Sequence, residues 1–293
     1  MKNKSIHMNS FQKFMNNAPL KLKLGLLILI LLVLFALIVP SFYPGDPTLN
    51  HQVPPKQRPC LQYPLGTTSL GQDVLALLSY GLRNSLAIGI IVAVIGSIVG
   101  IIWGIFAGFI GGVIDNLMML ISDTFLVIPS LPVMILLTSM MNGAATLWQL
   151  ALFISIFSWA NPSRSIRTMV LSIRERDFIA TARFSRENIW VIAFQEILPY
   201  LTSWALTNFM NTILFAISTE SGLALLGLSS GDMVTLGNMI QWARNRSAIM
   251  AGYWYWIMPP VIVTVILFAA LFFVINGYEE YKAIKRGKTY AES

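Results

Sequence analysis

Side chains able to do covalent or metal chemistry are scarce in this chain. It has one cysteine, Cys60, and two histidines, His7 and His51, among 293 residues. A single thiol forms no internal disulfide, and so few Cys and His cannot assemble a multi-ligand metal site. Charge is scarce too, at 11% of residues, against roughly 25% in ordinary soluble domains. No G-x-x-x-x-G-K-[ST] pattern occurs, so the chain lacks the usual cradle for ATP phosphates. No nucleophile–base constellation is visible, which argues against a membrane enzyme. What remains is hydrocarbon, with 56% hydrophobic residues and a mean hydropathy of +0.68.

A helical crossing of a bilayer needs about 20 apolar residues. Six windows are candidates, at 23–42, 85–110, 116–140, 146–160, 200–222 and 256–277, the fourth being short. They predict an all-α integral membrane protein with six transmembrane helices and no room for a soluble catalytic domain. The first window is too long for a signal-peptide core and is read as a retained anchor. The net charge of +7 is placed unevenly. Lys2, Lys4, Lys13 and Lys21 precede the first window and Lys23 opens it, Arg164 to Arg186 follow the fourth, and Lys282 to Lys288 follow the sixth. By the positive-inside rule this predicts a multi-pass protein with both termini cytoplasmic. The basic balance therefore points to membrane topology and not to nucleic acid.

Residues 43–66 are rich in proline and read as an extended external loop. Val74, Leu75, Leu78 and Leu82 then suggest a short interfacial helix with Asp73 in its first turn. Gly96, Gly100, Gly104 and Gly108 form a small-residue seam along the second window, suited to close helix packing. Asp123, inside the third window, is costly in hydrocarbon. It is a candidate for the translocation pathway or for an ion pair near the cytoplasmic interface. In the fifth window Asn208, Asn211, Thr212 and Thr219 share one helical sector, lining water or making interhelical hydrogen bonds. Pro259 and Pro260 are expected in the first turn of the sixth helix.

The segment LSIRERDFIATARFSRENIWVIAFQEILP, residues 171–199, is charged and amphipathic in the middle of this oil. Leu171, Phe178, Ile179 and Ala182 share one helical face. A turn is expected from Ser185 to Asn188. Ile189, Ile192, Ala193 and Ile197 share the face of a second helix, which Pro199 is expected to end. This predicts a helix–turn–helix lying under the bundle with its turn toward the cytosol.

These residues resemble the cytoplasmic "EAA" loop of ABC-importer permeases. The stretches PLGTTSLGQDVLALLSYGLRNSL, GGVIDNLMMLISDTFLVIPSL, VLSIRERDF and ESGLALLGLSSG extend the resemblance to the C-type subunits of the dipeptide/oligopeptide/nickel permeases. The family's glutamate, glycine and histidine are replaced here by Ala180, Arg186 and Glu196.

The resemblance implies a type I importer core formed by the last five helices, in a bacterial or archaeal plasma membrane. The chain then divides into a cytoplasmic N-terminus (1–22), a first transmembrane helix (23–42) and an external loop with its interfacial helix (43–84). A five-helix permease core (85–277) follows, containing the coupling loop 163–199, and a cytoplasmic C-terminus (278–293) completes it. The implied partners are a second homologous permease subunit, two cytoplasmic ATPase subunits, an external substrate-binding protein and the lipid bilayer. ATP and Mg would sit on the ATPase subunits, with no cofactor on this chain. Arg176, Asp177, Ala180, Thr181, Ala182, Arg183, Ser185, Arg186 and Glu187 would make the ATPase-coupling surface. Asn208, Asn211, Thr212, Thr219 and Asp123 would line the pathway. An ion-gradient-driven secondary transporter and a non-conducting scaffold subunit are the alternatives.

Overall fold

The computed structural model describes residues 18–43, 45–141, 145–185, 188–229 and 233–291. Among the described residues its regular elements are all helices, apart from one isolated bridge between Thr67 and Asp73. In chain order the helices are α1 (Leu20–Ile38), α2 (Val74–Ile110), α3 (Gly112–Val127), α4 (Ser130–Ser139) and α5 (Leu147–Ser158). They continue as α6 (Ala160–Ile173), α7 (Asp177–Phe184), α8 (Leu198–Leu225), α9 (Leu236–Asn245) and α10 (Trp254–Ala291). The all-helical membrane fold expected from composition is what the structure shows.

Three stretches, Leu20–Phe42, Val74–Ile110 and Trp254–Ile284, are long and apolar enough to cross a membrane. Helices α3 and α4, bent by 74° at their break, make a fourth when taken as one broken span. The break falls where Ile128 turns extended ahead of Pro129, the conformation that a following proline favours. The other two windows are helical but fall outside that group. Helix α5 has 12 residues, about 18 Å at 1.5 Å per residue, short of a core about 30 Å thick. Only Trp159 separates it from α6, because the Pro162 ring crowds the carbonyl four residues back. Helix α8, with 28 residues, is long enough, but Asn208, Asn211 and Glu220 dilute its apolar character.

Helix α2 is the central strut, with α6, α5 and α8 packed along it. The glycine seam explains the α2–α6 approach. A Cβ on Gly100 would lie 2.6 Å from the Pro162 Cβ, and one on Gly104 would lie 2.5 Å from the Ser163 carbonyl oxygen. Helices in hydrocarbon gain little from hiding leucine, so close backbone approach of this kind is what holds them together. Helix α1 lies against α10 by the same device, with Gly25 facing Ala270 and Val274, and a Lys21–Glu280 ion pair of 3.4 Å.

Several local expectations are corrected. The separate interfacial helix at 74–82 does not exist as such. Those residues are the first turns of the unbroken 37-residue α2, since nothing between Val74 and Ile110 breaks a helix. Asp73 is not in the first turn but is the N-cap, its carboxylate accepting from the Leu75 amide at 2.8 Å. The 43–66 loop is not simply extended. His51 N donates to Leu70 O at 2.7 Å, Thr67 N to Gln57 O at 3.0 Å, and Gln72 Nε2 to Thr48 O at 2.6 Å. Helix α10 begins at Trp254, so Pro259 and Pro260 lie inside it and not in its first turn. Gly111 (φ 72°) and Gly112 (φ 65°) reverse the chain between α2 and α3, a left-handed conformation that glycine adopts without strain.

Candidate functional site

Helix α6 carries the charged elbow. Its Ile166, Val170 and Ile173 are buried against Ile105 and Phe109 of α2, leaving the arginines to the remaining sides. Arg167 grips Asp115 of α3 in a two-pronged bond, Nε to Oδ1 at 2.7 Å and Nη2 to Oδ2 at 2.6 Å. The Asp115 side chain is 7% exposed. That bond, together with the nearby carboxylate charge, outweighs partial burial and raises the Arg167 pKa further above its ordinary value. Arg164 pairs with Asp123 at 3.4 Å, and Arg174 Nη1 donates to the Gly108 carbonyl at 3.0 Å. Gly108 is in the last turn of α2, where unpaired carbonyls attract a cation.

The single helix expected through 171–182 is interrupted. Helix α6 stops at Ile173, Arg174 to Arg176 turn, and α7 starts at Asp177. With α7 re-aimed, Ile179 and Ala182 are buried in one cluster with Ile192, Ala193 and Ile197, as the apolar faces foretell. Arg176, Asp177, Ala180, Thr181 and Ser185 are exposed, whereas Ala182 faces inward. Arg186 and Glu187 lie outside the described residues, as does the side chain of Arg183. Phe184, which sequence reasoning passed over, is 88% exposed at the end of α7.

The return helix also departs from expectation. Asn188 Oδ1 accepts from the Trp190 amide at 3.0 Å, and Ile192–Ile197 forms a π-helical turn. The chain then runs straight through Pro199 into α8, so Pro199 does not end the helix. The wider π turn just before it accommodates a residue with no amide hydrogen to give. Tyr200 stacks on Phe178 at 5.4 Å between ring centroids, with the Arg176 guanidinium 5.5 Å over the same ring. This cross-brace between α7 and α8 was invisible in the sequence, because its members lie far apart along the chain.

The polar stripe on α8 splits. Thr212 and Thr219 are buried within the chain, Thr212 returning its hydroxyl to the Asn208 carbonyl at 2.9 Å. Asn211 is exposed, Asn208 half-buried, and Ser218 joins Asn211 on the open side. Asp123 is held by Arg164 on α6 and is not part of this stripe. Next to Thr219, fully buried Glu220 accepts from Thr235 Oγ1 at 2.6 Å. Thr235 in turn caps α9 by accepting from the Asn238 amide at 3.0 Å. No group of three or more His, Cys, Asp or Glu placed to hold a metal occurs among the described residues.

The chain is similar to known proteins over most of its length. The family model described as "Binding-protein-dependent transport system inner membrane component" matches residues 100–281. The oligopeptide transport system permease protein OppC of Mycobacterium tuberculosis is 31% identical over 262 residues, covering 88% of each chain. OppC of Lactococcus lactis is 30% identical over 211 residues, covering 71% of each. OppC of Bacillus subtilis is 30% identical over 204 residues, covering 70% of this chain and 66% of its own. The packed helices, the exposed elbow between α6 and α8 and these similarities agree: this multi-pass membrane protein belongs to the family of inner-membrane components of binding-protein-dependent transport systems.

Proposed function

We propose that this chain is one of two permease subunits of an ATP-driven importer, and that it receives mechanical work through α7. The observation that carries the reading is a short helix with an exposed outer face, mounted on a shaft that is fixed at three points. Asp115–Arg167, Asp123–Arg164 and Arg174–Gly108 tie α6 to α2 and α3. A push on α7 would therefore move the bundle as a rigid body, the kind of motion that interconverts two packed states. A loosely tethered loop would absorb the same push.

In this reading six crossings leave both termini and the elbow in the cytoplasm. Helix α3 with α4, α5 with the start of α6, and α8 supply the crossings that length and composition leave open. Two ATPase subunits bind ATP and Mg beneath the elbows of this chain and of a second, homologous permease. An external binding protein delivers substrate. The open side of α8, with Asn208, Asn211 and Ser218, lines half of the pathway. The names of the relatives favour peptides as cargo. This chain itself carries out no hydrolysis.

The test is the variant R183E/R186E in the assembled importer. Reversed charge at the elbow should separate ATP hydrolysis from peptide uptake, lowering uptake per ATP at least tenfold while the subunits still copurify. Unchanged uptake by a correctly assembled variant refutes the role given to α7. In a C60S background, which removes the exposed native thiol, reaction of A180C or T181C with a membrane-impermeant reagent added outside intact cells refutes the topology.

A further inference from the structure

Between α9 and α10 the backbone folds into a compact knuckle. Ser247 N donates to Arg244 O at 2.9 Å, Ala248 N to Ala243 O at 2.9 Å, and Tyr253 N to Ala248 O at 2.7 Å. These bonds hold the loop in shape without outside help. Its tip nevertheless presents Ile249 and Met250, 60% and 91% exposed, and Trp254 beside them is 60% exposed. A groove of about 340 Å³ opens next to the tip, with Ile240, Ala243 and Ile257 on its walls and Arg244 at its border. Arg244 and Arg246 are both exposed, and neither has an ion-pair partner among the described residues. No Asp or Glu occurs anywhere from 233 to 278.

We infer that this knuckle is a binding site for an anionic phospholipid of the outer leaflet. Met250 and Ile249 enter the acyl region, the groove takes up part of an acyl chain, and Arg244 at its border meets the headgroup phosphate, whereas Arg246 lines a separate pocket with Thr48, Asn50 and Trp256. Two features favour lipid over a protein partner. The patch is continuous with α10, whose Trp254–Ile284 portion is apolar enough to span, and it starts at half-buried Tyr253 and exposed Trp254, residue types enriched where spans meet headgroups, while Tyr255 and Trp256 turn into the core. Its charge is of one sign only, complementary to phosphate. The choice of leaflet rests on the topology proposed above.

The test uses the assembled importer in nanodiscs, with C60S removing this chain's only native thiol and M250C carrying an environment-sensitive fluorophore, against a C60S control without M250C. The site predicts blue-shifted emission and quenching by doxyl-labelled lipid, with a preference for anionic over zwitterionic quencher. In R244A that preference should fall about fivefold, the effect of one cation facing an anionic surface, while R244K retains most of it. Water-like emission that lipid does not quench overturns the inference, and shielding only when binding protein is added assigns the patch to that protein instead. Lipid quenching without anionic preference, or with that preference unchanged in R244A, overturns the headgroup site. Labelling of M250C in whole cells separates the two readings: access only after permeabilisation defeats the topology, whereas outside access with no lipid contact defeats this inference alone.

Discussion

Removing either half of the Asp115–Arg167 pair should destabilise the chain, and unequally. The Asp115 side chain is 7% exposed and that of Arg167 is 30% exposed. Both carboxylate oxygens are engaged by the guanidinium, and no other side chain bonds them among the described residues. R167A therefore strands a carboxylate away from water, and stranding one partner of a buried pair costs about 3–5 kcal/mol. D115A strands a guanidinium that already reaches solvent, so its loss should be nearer the cost of a charged hydrogen bond, about 1.5–3 kcal/mol. The double variant leaves no charge buried and should lose less than R167A alone, with a coupling energy of about 1–3 kcal/mol. R167K keeps the charge but loses the forked geometry and should fall between wild type and R167A. Unfolding of the purified chain in mixed micelles under rising detergent denaturant measures the four free energies. Equal losses in the two single variants, or strictly additive loss in the double, would refute the buried-clamp reasoning.

Other consequences can be checked the same way. G104L pushes a side chain into the Ser163 carbonyl and Ile166 and should cost about 1–3 kcal/mol or more, whereas G222A, with open space around its Cβ, should be neutral or gain up to about 1 kcal/mol; unfolding midpoints decide. D73A removes the α2 N-cap and should cost about 0.5–2 kcal/mol, with D73N retaining most of the stability; hydrogen exchange at the Leu75 amide reads the loss locally. F184D changes a side chain that is 88% exposed. It should leave the unfolding midpoint unchanged while weakening copurification of the ATPase subunits, and a fall in the midpoint with normal copurification would place Phe184 in the fold instead.

Much of this protein is legible in its residue order because the relevant forces act locally or along one helix. Runs of leucine, isoleucine and phenylalanine mark α1, α2 and α10 because hydrocarbon accepts little else over about 20 residues. The four-residue spacing of Gly96 to Gly108 announces a packing face because side chains four apart stack on one side of a helix. Ile179, Ala182, Ile192 and Ala193 reveal the elbow's buried face by the same periodicity, and the elbow's residues carry the family resemblance. The partners of those faces are another matter. Asp115 and Arg167 are 52 positions apart, and only the folded α3–α6 contact brings a carboxylate and a guanidinium into register. Thr212 and Asn211 are neighbours on one stripe, yet one is buried and the other open, since where the adjoining helices fall across that sector depends on the whole bundle. Pro199 reads as a stop signal until the π turn ahead of it supplies the missing room. The chain's order alone determined where oil, charge and small residues lie. The tertiary structure decided which of them meet, because burial, pairing and accommodation of a proline are properties of neighbours in space.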